Sequence, residues 1–217
     1  MNLSCESVTK KIRNSTVIDN ISFQWNGSNV YGLCGSNGSG KTMLLRIISG
    51  LIFPTSGCIK INGKILGKDL EFPPSMGMLL ENPSFLNPYT GKKNLELIAS
   101  LNGGKEDDVR KAILAVGLSP DDSRKYKKYS LGMKQRLGIA AAIMENPEIL
   151  ILDEPTNALD EEGIRVLIEI IKDMKEKGSL IVIASHDRIF LNTISDYIYT
   201  IKQGKFIDIM CNTGGAK

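Results

Sequence analysis

Gly35-Ser36-Asn37-Gly38-Ser39-Gly40-Lys41-Thr42 fits the pattern G-x-x-x-x-G-K-[ST], and its flanks decide how it is read. Residues 30–34 before it form an apolar run of strand length, and Met43, Leu44, Leu45, Ile47 and Ile48 after it recur at helical spacing. A glycine-rich turn between strand and helix lets successive N–H groups face an anion, and the positive end of the new helix reinforces the attraction. The expected ligand is the triphosphate of a nucleotide. Lys41 is placed to reach the β- and γ-phosphates, and the Thr42 hydroxyl to ligate a Mg²⁺ that bridges them. The plain alternative is a glycine-rich turn with a solvated lysine; eight ordered positions with the right flanks favour the phosphate loop.

Further along, residues 149–152 (Ile-Leu-Ile-Leu) and 180–184 (Leu-Ile-Val-Ile-Ala) are continuous apolar runs separated by a helix-like stretch, 162–177. This is a parallel β-α-β pattern, which delivers side chains to the carboxyl edge of a sheet. Asp153 and Glu154 follow the first run. The first carboxylate suits Mg²⁺, held through water, and the second suits the orientation and deprotonation of an attacking water. A solvent-facing strand end is the alternative. His186, the only histidine, follows the second run by way of Ser185, where it can contact a γ-phosphate or simply sit at the surface.

The remaining chain is punctuated clearly. Residues 17–25 and 57–61 read as strands, the latter ending at the hairpin signal Asn62-Gly63. Residues 94–101 and 106–118 read as helices in an insertion, and a third helix is expected over 131–146, capped by Ser130 and stopped before Pro147. A closing hairpin is expected over 197–201 and 206–209 around Gln203-Gly204, followed by a frayed Gly214-Gly215 tail.

With 217 residues the chain can build one substantial core with a small inserted subdomain, and two independent enzymes would not fit. A charge of +3, from 27 basic and 24 acidic residues, points to neither nucleic acid nor anionic membrane as the main partner. No apolar stretch approaches the about 18 residues of a membrane span, and the first residues lack the regions of a signal peptide, so a soluble cytoplasmic chain is expected. Cys5, Cys34, Cys58 and Cys211 have no C-x-x-C spacing and are read as reduced thiols. The basic cluster Arg124, Lys125, Lys127 and Lys128 is read as a solvated loop.

Between the insertion and the acidic pair lies Tyr129-Ser130-Leu131-Gly132-Met133, followed by Lys134-Gln135-Arg136. Together with residues 35–42, Asp153-Glu154, Ala158-Leu159-Asp160 and His186 in this order, it makes the chain resemble the nucleotide-binding subunit of an ABC transporter over nearly its whole length. The fold class expected is α/β, a P-loop NTPase (RecA-like) core with an N-terminal antiparallel β lobe and an inserted α-helical subdomain. One domain is expected, with 1–81 and 147–217 as catalytic core and 82–146 as the helical subdomain.

The resemblance implies ATP and Mg²⁺ as cofactors and makes residues 129–133 the signature motif, whose Ser130 and Gly132 bind the ATP held by an opposite subunit. Ser130 is also a good N-cap for its own helix, and both roles can hold. Asp160 is implied to contribute to nucleotide binding, and Glu81 stands where the family has a glutamine beside magnesium, which places it with Thr42 and Asp153 as an expected ligand of the ion or of its water. Three departures stand out: Leu131 and Met133 within the signature, Glu81 in place of an amide, and Ile12 where an aromatic often stacks on adenine. Glu81 and the signature sequence look like the bacitracin and lantibiotic export or self-protection subgroup. The implied partners are a second ATPase subunit, by expectation an identical one, and separate transmembrane permease subunits, which would hold the chain at the inner face of the membrane. A non-transport ATPase of the same type, or a nucleotide sensor with little turnover, are the alternatives.

Overall fold

The computed structural model describes residues 1–101 and 103–212, so the expected Gly214-Gly215 tail lies outside the described residues. The chain opens with two long antiparallel strands, β1 (Asn2–Ile12) and β2 (Ser15–Asn26). β1 is not apparent in the sequence because its register shifts between Cys5 and Val8, where Ser7 adopts φ 48°, and the alternation of buried residues breaks. β3 (Asn29–Cys34) leads into the phosphate loop and α1 (Lys41–Ile48). β4 (Ser56–Ile61) then pairs with β1, and β5 (Lys64–Ile65) completes a four-stranded antiparallel sheet, β2-β1-β4-β5. The Asn62-Gly63 turn has φ 49° and 80°, the left-handed pair that a two-residue hairpin requires.

A second sheet carries the site. β6 (Met76–Leu79), β7 (Ile149–Asp153), β8 (Leu180–Ser185), β9 (Tyr197–Lys202) and β10 (Lys205–Cys211) join β3 in the order β10-β9-β3-β8-β7-β6. All neighbours pair in parallel except β10, the antiparallel edge. Both faces of its central strands are buried, which is why they read as unbroken apolar runs. Ile149, Ile151, Leu180 and Val182 face a core shared with α1 and the antiparallel sheet, while Leu150, Leu152, Ile181 and Ile183 face a core shared with the helices. Each such side chain contributes on the order of 1.5–3 kcal/mol on burial.

The seam between the two sheets is aromatic. Phe23 stacks on Trp25 at 3.7 Å, Trp25 on Tyr31 at 4.8 Å, and Tyr31 on Tyr197 at 5.5 Å between ring centroids.

The helical layer comprises α2 (Gly91–Leu101), α3 (Glu106–Ala115), α4 (Leu131–Ile143), α5 (Glu161–Glu176) and α6 (Arg188–Ile194). α3 stops short of the expected Leu118 because Gly117, at φ 72°, turns the chain after the cap residue Val116. α4 likewise ends before Asn146, whose φ of 45° reverses the chain ahead of Pro147. The small residues of α4 let it lie directly on β6: a Cβ on Gly77 would stand 1.7 Å from the Ala142 carbonyl oxygen. The whole is the α/β arrangement expected, with antiparallel lobe and helical insertion. All four cysteines are free, and among the described residues no helix is long and apolar enough to cross a membrane.

Candidate active site

Three adjacent strands, β3, β8 and β7, end flush at one edge of the parallel sheet. Cys34 pairs with Ser185, and Asp153 with Ala184, so the phosphate loop, Asp153-Glu154 and Ser185-His186 emerge side by side. Gly40 caps α1 at φ 113°, a conformation L side chains rarely adopt, and a Cβ there would press on Val17 and Ile18. The first-turn amides of α1, which no helix satisfies internally, open onto this loop. A cleft of about 240 Å³ lies here, lined by residues 37–43 with Val17, Asp153 and Glu154.

Lys41 is buried, and its Nζ donates to the Gly35 carbonyl at 2.7 Å and lies 3.7 Å from Glu154 Oε1. Thr42 Oγ1 donates to Asp153 Oδ2 at 2.6 Å. Asp153 Oδ1 and Ser39 Oγ are buried without a hydrogen-bond partner. Burial raises the Asp153 carboxyl above the ordinary aspartate value; the Thr42 bond opposes this, and the negative charges of Glu154 and Glu81 add to it. A buried carboxylate with one orphaned oxygen beside a threonine hydroxyl is a donor set that fits a hard divalent cation.

Glu154 has φ 47°, a left-handed backbone for a side-chain-bearing residue. Its N–H donates to the Ala184 carbonyl at 2.8 Å, and its Oε2 lies 2.8 Å from His186 Nδ1 and 3.3 Å from Ser185 Oγ and His186 N. A carboxylate oxygen accepts, so in this contact Nδ1 is the donor and the ring is oriented with Nε2 pointing away from Glu154. Ser185, the last residue of β8, reads in the sequence only as the link to His186; no local signal marks its hydroxyl as a partner of Glu154.

Glu81, at φ 59°, does not stand free beside Asp153. An ion pair with Arg46 of α1 holds its carboxylate. Ile12 is exposed at the end of β1, while Val17 lines the loop cleft.

The structure does not bring Ser130, Gly132 or Asp160 to this cleft. They line a separate one of about 750 Å³, with Gly117, Arg136 and Ala158 among its walls, and the two clefts share no residue. Ser130 caps α4, its Oγ accepting from the Met133 N–H at 3.2 Å. Asp160 caps α5, accepting from Gly163 N at 2.9 Å and from Arg136 at 2.7 Å. Those two bonds, the backbone one foremost, hold its carboxyl below the ordinary aspartate value. Arg124 is taken up by Asp122 at 2.7 Å, in keeping with a solvated loop.

Residues 18–157 match the family model described as ABC transporter. The chain is 46% identical over 200 residues to an uncharacterized ABC transporter ATP-binding protein, YybJ, of Bacillus subtilis (strain 168), covering 92% of each. It is 38% identical to the bacitracin transport ATP-binding protein BcrA of Enterococcus faecalis over 95% of this chain and 68% of that one. With the lantibiotic transport ATP-binding protein SrtF of Streptococcus pyogenes it shares 36% identity over 94% and 89%. A dimeric, post-hydrolysis structure of the ATP-binding cassette MJ0796 bound to ADP and Pi shares the fold, with TM-score 0.87 at 22% identity over 98% and 99% of the two chains.

Proposed function

The chain belongs to the ABC transporter family as an ATP-binding, ATP-hydrolysing subunit, and on that premise we propose that it works as half of a head-to-tail pair closed over two ATP molecules. One observation carries this reading: the phosphate loop and the Ser130 helix end open into clefts with no shared lining. The loop cleft, at about 240 Å³, falls below the ~300–1,000 Å³ typical of whole small-molecule sites. It suits the phosphates and leaves the outer face of the nucleotide for a second copy, whose Ser130 and Gly132 close on it.

Residues 35–40 cradle the phosphates with their amides. Lys41 exchanges its bond to the Gly35 carbonyl for the β- and γ-phosphates. Thr42 and Asp153 would hold Mg²⁺, which when bound would neutralise charge that builds on the phosphates in the transition state. Glu154 orients and deprotonates the attacking water, and His186, its ring held through Nδ1 by Glu154, stands beside the γ-phosphate. Asp160 acts at one remove, by fixing the start of α5 and tethering Arg136.

Hydrolysis removes the phosphate that links the copies, and the pair opens. Separate transmembrane permease subunits receive this motion at the helical lobe, near residues 81–85, where Leu86 and Tyr89 are exposed apolar neighbours. The division is 1–81 with 147–217 as catalytic core and 82–146 as helical subdomain, and the assembled subunit lies on the cytoplasmic face of the membrane. The likeness to bacitracin and lantibiotic transport proteins supports export of, or self-protection against, a peptide antibiotic.

The test is Glu154→Gln. Its turnover should fall at least about 10²-fold, the range for loss of a general base, and with saturating ATP and Mg²⁺ it should elute as a dimer. A monomer under those conditions refutes the sandwich.

A further inference from the structure

α4 does more than present Ser130. On one of its faces, residues three and four apart, Gly132, Gln135 and Arg136, all meet the 154–160 segment of the same chain. A Cβ on Gly132 would stand 2.8 Å from the Ala158 carbonyl oxygen, and Arg136 bonds Asp160 at 2.7 Å. Between them Gln135, buried at 4% exposure, points its Nε2 at two carbonyl oxygens, 3.1 Å from Pro155 and 3.5 Å from Glu154.

The segment it grips is under local strain. Glu154 and Ala158 both adopt left-handed backbones, at φ 47° and 61°. Such residues persist only where the surroundings over-determine them. Pro155 cannot help, since it lacks an N–H. Glu154 is held on one side by its N–H bond to Ala184 of β8, and its carbonyl accepts from the Asn157 N–H at 3.1 Å within the turn; Gln135 adds the tie to α4, at that carbonyl and at the Pro155 carbonyl.

We propose that Gln135 is a positioning residue for hydrolysis, its side-chain amide fixing the Glu154-Pro155 backbone so that the Glu154 carboxylate stays aimed at His186 and the attacking water. This rests on the reading of Glu154 as general base. Gln135 lines neither the phosphate-loop cleft nor the Ser130 cleft, and nothing in the motif that precedes it announces the role.

The chain has one histidine, so the ring NMR signals of His186 report its contact with Glu154 without overlap. Gln135→Leu removes the donor at similar length, and Gln135→Glu is a near-isosteric second variant that replaces donor by acceptor. In both, the His186 signals should move part of the way toward those of Glu154→Gln. The kcat should fall about tenfold, the scale of one well-placed interaction, while KM for ATP stays within about twofold because the phosphate loop is untouched. His186 signals that coincide with wild type in a folded variant overturn the proposal, whatever turnover does. Should the wild type itself lack ATPase activity, the hydrolytic reading fails instead, and the NMR comparison still decides whether Gln135 orders the Glu154-His186 contact.

Discussion

Ser130 has two separable jobs, and two substitutions pull them apart. As a cap its Oγ accepts from the Met133 N–H at 3.2 Å. Ser130→Ala removes that acceptor at a cost of about 1 kcal/mol, or about 2–4 °C in melting temperature for a chain of this size. Ser130→Asp keeps a capping oxygen, and its charge suits a helix N-terminus, so the melting temperature should stay within about 1 °C of wild type. Across the proposed interface the order reverses. An aspartate about 4 Å from a facing γ-phosphate costs about 4 kcal/mol at an effective dielectric of about 20, which weakens each site about 10³-fold. Measured on a Glu154→Gln background by sedimentation with saturating ATP and Mg²⁺, the aspartate variant should remain monomeric and the alanine variant should still dimerise. If the aspartate variant dimerises as readily as its parent, Ser130 does not face a phosphate in trans. If the alanine variant melts with wild type, the capping account is wrong.

Two further outcomes follow from charges at the site. The folded-state carboxyl of Asp153 is raised by burial, so its protonated form is favoured in the fold; the associated stability is present below the ordinary aspartate range, near pH 4, and is lost as pH rises through the raised value. Asp153→Asn without nucleotide should therefore melt above wild type at pH 7, with the gap closing toward pH 4, and a lower melting temperature at pH 7 would contradict this. Glu81, tied to Arg46 on the phosphate helix, should couple nucleotide state to the helical lobe. Glu81→Ala ought to lower ATPase stimulation by the membrane subunits, and unchanged basal and stimulated rates would remove it from that path.

Local chemistry is what the sequence displays. The phosphate loop, the apolar runs of β7 and β8 and the Asn62-Gly63 turn are each written in neighbouring residues, and their structures follow. β1 is hidden because the shift at Ser7 breaks its alternation. β6 is hidden because four residues containing Gly77 acquire their setting only from α4 lying on them. α6 passes unnoticed because seven residues give too little periodicity, although Asp187 caps it by accepting from Ile189 and Phe190. Within the site, the members at strand ends were legible as residues. Their pairings were not: Arg46 with Glu81, Gln135 with Glu154 and Arg136 with Asp160 join positions 19 to 35 residues apart, and only the packed chain brings them together.

The aromatic seam between the sheets has an optical consequence. Trp25 is the chain's single tryptophan, fully buried and stacked on Tyr31 near the start of β3, whereas the phosphate loop leaves that strand's other end. Fluorescence excited at the red edge of the spectrum thus arises from one indole, buried in the seam, and changes when the two sheets part. The molecule carries its own gauge of unfolding, set at the opposite end of β3 from the phosphate loop.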